Sequence, residues 1–314
     1  MTLTAVGSIA FDTVSTPFAS GERLLGGSAV HFALASSFFA ETSIVGPVGG
    51  DFEEHHLQML RSRGVLTDEV QIDHAGRTFS WRGHYDYDLN TAHTDETQLG
   101  VFADFTPALS ERARACEVLF LANIQPSLQR QVAQQCASAA FIALDSMNLW
   151  IQTARDELLS TIELVDCVLL NDAELRMLTN RPNLLAAARE VISLGPRVVI
   201  AKQGEYGAAL FTEEDFFALP AFPLENVVDP TGAGDAFAGG FIGFIAAKSA
   251  DVSHENLKRA MAYGTAIASF NVEELGTARL QRLTGEEIAE RVAELRRITQ
   301  FIEEPVELRS RPQA

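Results

Sequence analysis

Cysteine is scarce in this chain: Cys116, Cys136 and Cys167 stand far apart among 314 residues. An odd number of thiols, with no CxxC and no Cys/His ligand spacing, argues against a disulfide framework and against a structural zinc site. All three are expected in the core. Positive charge is also in short supply. Lys and Arg number 24 against 42 Asp and Glu, for a formal net charge of -18. Such a surface disfavours nonspecific contact with nucleic acid or anionic membrane, and neither is expected as a partner. A local basic pocket for a phosphate remains compatible with it. Long apolar runs are missing as well. The stretch 236–247 is too short to span a bilayer and ends in Lys248. The opening MTLTAVGSIAFD has no basic segment ahead of a long apolar one, so no signal peptide and a cytoplasmic location are expected. The P-loop pattern GxxxxGK[ST] and an opening GxGxxG are both absent, and GGDF at 49–52 has no HRD or VAIK companion. A dinucleotide oxidoreductase and a protein kinase are therefore disfavoured.

What is present reads as one large α/β domain. Apolar residues make up 47% of the chain, enough for a full core. Strands are predicted at 3–9 and 41–50, with helices at 28–40 and 51–64 between and after them. From 107 onward, apolar strands such as CEVLFLANI, AAFIALDSMN and DCVLLN alternate with helices of about 10 to 15 residues, a pattern that implies a mostly parallel sheet covered on both faces. RVVIAKQGEYGAALF reads as two strands around a turn. The C-terminal third is helical, and its last helix carries a capping box, Thr284 with Glu287. Residues 76–105 break the rhythm, alternating polar and bulky side chains. Together with about 12–25 they are expected to form a small β lid, within a single domain spanning 1–304. Residues 305–314, with Pro305 and Pro312 at or near their ends, are expected to be a disordered tail.

The chemistry concentrates in DPTGAGDAFAGGF, 229–241. Gly232, Ala233 and Gly234 precede an acid and then a helix. A turn of small residues at a helix start aims unpaired N–H groups at an approaching anion. Asp235 then falls in the first helical turn, where it can take a proton from a hydroxyl as phosphoryl transfer proceeds. An acid there also serves as a purely structural complement to the helix dipole, and the pattern alone leaves both readings open. Asp145 and Asn148 are read at the end of one strand and Asn123 at the end of another, the edge where open α/β sheets bind ligands. Arg82, His84, Asp86 and Asn90 lie in the expected lid, where they either close over a substrate or face solvent.

This segment resembles the C-terminal signature of the ribokinase-like (pfkB) carbohydrate and nucleoside kinases, and Gly26-Gly27-SAVHFALA with VGPVGGDF resembles their N-terminal one. The resemblance implies a three-layer α/β/α sandwich with a mostly parallel central sheet and a small β lid. It implies ATP and Mg²⁺ as cofactors, a monovalent cation as a further candidate, and a small sugar, polyol or nucleoside as substrate. Asp235 becomes the general base, and Gly232, Ala233 and Gly234 the anion hole. Asp12, Gly26, Gly27 and His31 fall on the substrate side, joined by Asn123 and Asp145. Asn171 and Glu174 match the NxxE element, with Glu174 acting on Mg²⁺ through water. Thr231, Lys202, Gly204, Gly207 and the segment 265–276, including Asn271 and Glu274, match the nucleotide side. Two departures stand out. His31 replaces the Asn of most sugar kinases in the family, and no arginine follows Asp145 and Asn148. On residue type alone, His31 is either a hydrogen-bond donor to a hydroxyl or a core histidine, Lys202 is either at the nucleotide or on the surface, and Asn171–Glu174 is either a metal element or a helix cap with a solvent-facing Glu. The expected activity is transfer of the ATP γ-phosphoryl group to a sugar-like hydroxyl. A nucleoside (adenosine-like) kinase and an inactive small-molecule sensor on the same fold are the alternatives. A homodimer joined through the lid is a further expectation.

Overall fold

The computed structural model describes residues 1–300. Both the expected tail and the expected domain end at 304 lie outside them. The strands run β1 (Thr2–Val6), β2 (Ala10–Ser15), β3 (Ser20–Gly26), β4 (Glu41–Gly49), β5 (Val65–Leu66), β6 (Val70–Asp73), β7 (Phe79–Tyr85), β8 (Ala92–Gln98), β9 (Val118–Leu121), β10 (Phe141–Asp145), β11 (Cys167–Asn171), β12 (Val198–Lys202), β13 (Ala208–Phe211) and β14 (Phe216–Leu219). The main sheet has the order β14-β13-β12-β11-β10-β9-β1-β4-β5, with β6 also on β4. It is parallel from β12 through β5, and only the β12–β13–β14 edge is antiparallel.

The helices are α1 (Ser28–Ser36), α2 (Glu54–Ser62), α3 (Glu111–Arg114), α4 (Pro126–Gln135), α5 (Asn148–Thr153), α6 (Arg155–Ile162), α7 (Asp172–Thr179), α8 (Leu184–Ile192), α9 (Ala233–Ala247), α10 (His254–Asn271) and α11 (Gly285–Thr299). Strand alternation assigns them to layers. Leu119, Leu121, Ile142, Leu144, Val168 and Leu170 face α4, α6, α7 and α8. Their neighbours Val118, Phe120, Phe141, Cys167 and Leu169 face α9 and α10. Side chains of period two therefore serve two cores, which is why these strands read as unbroken apolar runs. The three-layer sandwich is as expected. The three cysteines are buried and unpaired.

Small residues let α9 sit close to its neighbours. A Cβ on Gly239 would fall 2.4 Å from the Phe32 carbonyl oxygen of α1, and one on Gly240 would fall 2.9 Å from the Gly264 Cα of α10. The lid is a separate four-stranded sheet, β3-β2-β7-β8. It uses both segments expected to form it, but it ends at Gln98. Phe105 is already part of the main core, with Phe102 packed against it. One further expectation changes. Asn148 does not end a strand: β10 stops at Asp145, whose Oδ1 accepts from the Ser146 N–H, and Asn148 opens the short helix α5. The antiparallel edge continues from β13 into β14, a four-residue strand with Phe216 exposed.

Candidate active site

Parallel pairing brings the C-terminal ends of β9, β10, β11 and β12 to one edge, with Asn171 in register with Lys202. The N-terminus of α9 meets them there. Gly232 caps that helix in the left-handed region, φ 74°, with no side-chain cap. The turn before it is held by Asp229, which is fully buried. Its two carboxylate oxygens accept from the N–H groups of Thr231 and Gly276, both at 2.9 Å. The Ala233 N–H donates to Pro230 O at 3.1 Å. Among the described residues, no other residue's backbone or side chain accepts from the Gly234 or Asp235 amides. Of the expected anion-hole trio, Gly234 is therefore the open donor, Ala233 closes the turn, and Gly232 supplies the left-handed bend.

Lys202, at the end of β12, is not a surface lysine. Its Nζ donates to Asp145 Oδ2 at 2.6 Å, and the pair is largely buried. A Cβ on Gly234 would lie 3.1 Å from that Nζ, so glycine leaves the ammonium room beside the helix start. Burial alone would depress the Lys202 pKa, but Asp145, Glu174 and Asp235 overcome this and raise it. Asp235 is half-buried. Desolvation, reinforced by the negative charges of Asp145 and Glu174 and opposed by Lys202, pushes its carboxyl up to about 7. Three carboxyls thus share one ammonium, a strained charge balance of the sort that active sites hold.

Asn171 and Glu174 do form a helix cap. The Asn171 side chain accepts from the Glu174 N–H at 2.7 Å, and Glu174 Oε2 accepts from the Asn171 N–H at 2.8 Å. Glu174 is nevertheless buried, not solvent-facing. Desolvation raises its pKa to about 7, with Lys202 lowering it and Asp145 raising it further. The cap accordingly aims one acidic group at the Lys202 cluster. Among the described residues no three His, Cys, Asp or Glu side chains converge as a ready-made metal site. Hard oxygen donors in excess of local positive charge suit Mg²⁺ held mainly by water and a partner's phosphates, as is usual for that ion.

On the side expected to hold the substrate, Asp12 on β2 touches the glycine pair. A Cβ on Gly26 would fall 1.9 Å from Asp12 Oδ2, and the Gly27 N–H bonds the carboxylate. Gly27, at φ 93°, caps α1. Burial raises the Asp12 carboxyl to about 7, the Gly27 N–H opposes this, and Asp229 and Asp235 add to it. A folded-state pKa above the ordinary carboxylate value means stability is complete below that value and is lost as pH rises through about 7. Asp12→Asn should therefore stabilise the fold more at about pH 8 than at about pH 5, by on the order of 2 kcal/mol. Thermal unfolding at the two pH values measures this, and an equal shift at both would contradict it.

Other expected residues are placed differently from one another. Asn123 Oδ1 accepts from Trp150 Nε1 at 3.1 Å, at the mouth of the same edge. Gly204 and Gly207 bracket a short 3₁₀ turn after β12, both with positive φ. Glu274 is ion-paired with Arg282. His31 and Asn271 are buried beneath the signature turn and bonded to each other, at 2.8 Å from Nδ1 to Oδ1. In the lid, Arg82 faces Glu96, His84 pairs with Asp95, and Asp86 pairs with His93, all within the lid itself. Asn90 reaches out, donating to Glu205 at 3.2 Å.

Two lid residues that meet the signature turn were not singled out from sequence. Tyr85 OH bonds Thr231 Oγ1 at 3.1 Å, and Thr16 Oγ1 donates to Val228 O at 3.1 Å. Alternation within β7 sets Tyr85 apart from Arg82 and His84, but only the register with β2 tells which face it takes. Asp12 is in register with Trp81, so Trp81, Gly83 and Tyr85 share the Asp12 face, whereas Arg82 and His84 point the other way.

A parallel sandwich with a β lid, an open amide at a helix start and an acid in the next position describes a small-molecule phosphotransferase. The sequence profile of the pfkB family carbohydrate kinases matches residues 4–282, and the chain belongs to that kinase family. It is 28% identical to a cytidine kinase of Thermococcus kodakarensis over 76% of this chain and 87% of that one. It is 27% identical to a nucleoside kinase of Methanothermobacter thermautotrophicus over 91% and 94%. In fold it is similar to a putative ribokinase II from E. coli, described as a complex with ATP and Mg²⁺, at TM-score 0.77 and 18% identity over 93% and 99% of the two chains. No helix among the described residues is long and apolar enough to cross a membrane.

Proposed function

We propose that this kinase transfers the γ-phosphoryl group of ATP to a hydroxyl of a nucleoside, with Asp235 as general base. The observation that carries the reading is the pairing of Asp235, its carboxyl pushed up to about 7, with the open amide of Gly234 and the ammonium of Lys202 beside it. Asp235 takes the proton of the acceptor hydroxyl as its oxygen bonds to the γ-phosphorus. The bond from that phosphorus to the bridging oxygen breaks, and ADP leaves with the electron pair. The Gly234 amide and Lys202 stabilise charge developing on the transferring group. Asp12 holds acceptor hydroxyls against the Gly26-Gly27 backbone. Mg²⁺, bound with ATP and reached by Glu174 through water, would neutralise phosphate charge.

Similarity over most of the chain to a cytidine kinase and a nucleoside kinase supports a nucleoside over a free sugar as acceptor. The test is a phosphorylation screen of nucleosides, pentoses, hexoses and cyclitols with ATP and Mg²⁺. Nucleosides should show the highest kcat/KM. A free sugar that outruns every nucleoside would reassign the acceptor. Tight binding of some panel member with no phosphorylation of any would favour a sensor.

A further inference from the structure

One hydrogen-bond line runs from the lid to the floor of the signature turn. Tyr85 OH meets Thr231 Oγ1 at 3.1 Å, the Thr231 carbonyl accepts from Asn271 Nδ2 at 2.8 Å, and Asn271 Oδ1 meets His31 Nδ1 at 2.8 Å. The chemistry fixes the direction at its buried end. A carbonyl only accepts, so the Asn271 amide must turn its NH₂ to Thr231 and its oxygen to His31. His31 Nδ1 must therefore carry a hydrogen. Burial lowers the His31 pKa and favours the neutral ring, so Nε2 is left as a bare acceptor. That atom is buried with no partner, and His31 as a whole is 1% exposed.

The ring also braces the turn directly. A Cβ on Gly232 would lie 2.3 Å from His31 Nδ1 and 2.4 Å from two neighbouring ring atoms. Gly232 is the left-handed residue whose conformation aims the first amides of α9. His31 thus touches the bend that forms the open anion site, and Asn271 holds the carbonyl of the residue before it. At the other end, Tyr85 is anchored in β7 of the lid, so its bond to Thr231 exists only when the lid lies against the turn. Burial, with the charges of Asp229, Asp12 and Asp235 adding to it and the bond to Thr231 opposing, raises the Tyr85 pKa and keeps the hydroxyl protonated.

From this geometry we infer that His31 and Tyr85 are positioning residues at opposite ends of the line Tyr85–Thr231–Asn271–His31, which ties lid closure to the placement of the amides that open α9. The inference rests on the phosphoryl-transfer reading above. It replaces the sequence-based expectation of His31 as a direct substrate ligand with a role exerted through Asn271 and Gly232.

The two ring nitrogens allow a clean test, because an Asn amide reaches about where Nδ1 sits and a Gln amide about where Nε2 sits. In the wild-type chain with ATP, Mg²⁺ and the best acceptor of the screen, His31→Leu should lower kcat by about 10- to 100-fold, the scale expected for a misplaced catalytic geometry. His31→Asn should recover most of that loss and His31→Gln little of it. Tyr85→Phe should lower kcat with little change in the acceptor KM. The double variant Tyr85→Phe/His31→Leu should lose less than the product of the single losses, since both act on one line. Recovery by Gln rather than Asn, with acceptor KM moving instead of kcat, would make His31 a substrate ligand and overturn the inference. Strictly multiplicative losses would overturn the coupling. Unfolding temperatures recorded alongside expose losses due only to unfolded protein, which would also count against it. A wild-type chain that phosphorylates nothing in the screen would instead remove the parent reading, and this one with it.

Discussion

Asp235→Asn should lower kcat by about 10³-fold or more, near the upper range for loss of a positioned base, with ATP affinity nearly unchanged. The substitution is isosteric and keeps the helix start intact, since Gly232 opens α9 without using any side chain. It removes the one acid in the first turn of α9 beside the open Gly234 amide. The wild-type carboxyl, pushed up to about 7, should make kcat/KM rise with pH through that value as the base ionises. The variant should lose this limb. Steady-state kinetics across pH, with calorimetric titration of ATP, measure both. A variant with wild-type turnover would remove Asp235 from the mechanism.

Lys202→Met should damage both stability and activity. The side chain fills similar space, but the change leaves Asp145, Glu174 and Asp235 close together without their cation. Removing one partner of a buried ion pair costs about 3–5 kcal/mol, because the remaining charge stays desolvated. The sign of the pH effect follows from the carboxyls. Glu174 and Asp235 already have raised pKa values, so the stability they contribute is complete below the ordinary carboxylate range and is lost as pH rises through about 7. Lys202 lowers both values, and without it they climb further. The deficit of the variant should therefore be largest above neutral pH and shrink toward acid. Its kcat/KM limb should move to higher pH, because Asp235 holds its proton longer. Denaturant unfolding at several pH values checks the first claim and the pH–rate profile the second. Equal stability of the two proteins above neutral pH would show that Lys202 does not balance the cluster.

The parts of the site that could be read in advance are those written in short stretches of chain. The glycine turn, the left-handed bend and the acid of α9 span 232–235, and their geometry follows from backbone rules acting over one helical turn. The capping box at Thr284–Glu287 is likewise set by a three-residue spacing, and the N-cap alternative at Asn171 holds too, although Glu174 is buried and closes a second capping box rather than facing solvent. Alternation of apolar strands and helices carried the three-layer architecture, because a strand buried on two faces must be apolar at every position. The errors arose where tertiary position competes with local pattern. Asn148 reads as the tail of a strand, yet β10 stops at Asp145 and the Asn148 N–H bonds Glu174 from another element.

Sequence by itself determined the fold class, the family signature and which acid heads α9, since each depends on near neighbours in the chain. Tertiary structure alone decided what surrounds that acid. Lys202 meets Asp145 from 57 residues away, Tyr85 meets Thr231 from 146, and His31 meets Asn271 from 240. Such pairs depend on strand order, register and lid placement, for which no periodicity within a single segment carries a signal. Burial then assigns their roles: it raises the carboxyls of Asp235 and Glu174, favours the neutral ring of His31, and makes Lys202, which the sequence leaves open between the nucleotide side and the surface, the counter-ion of this cluster.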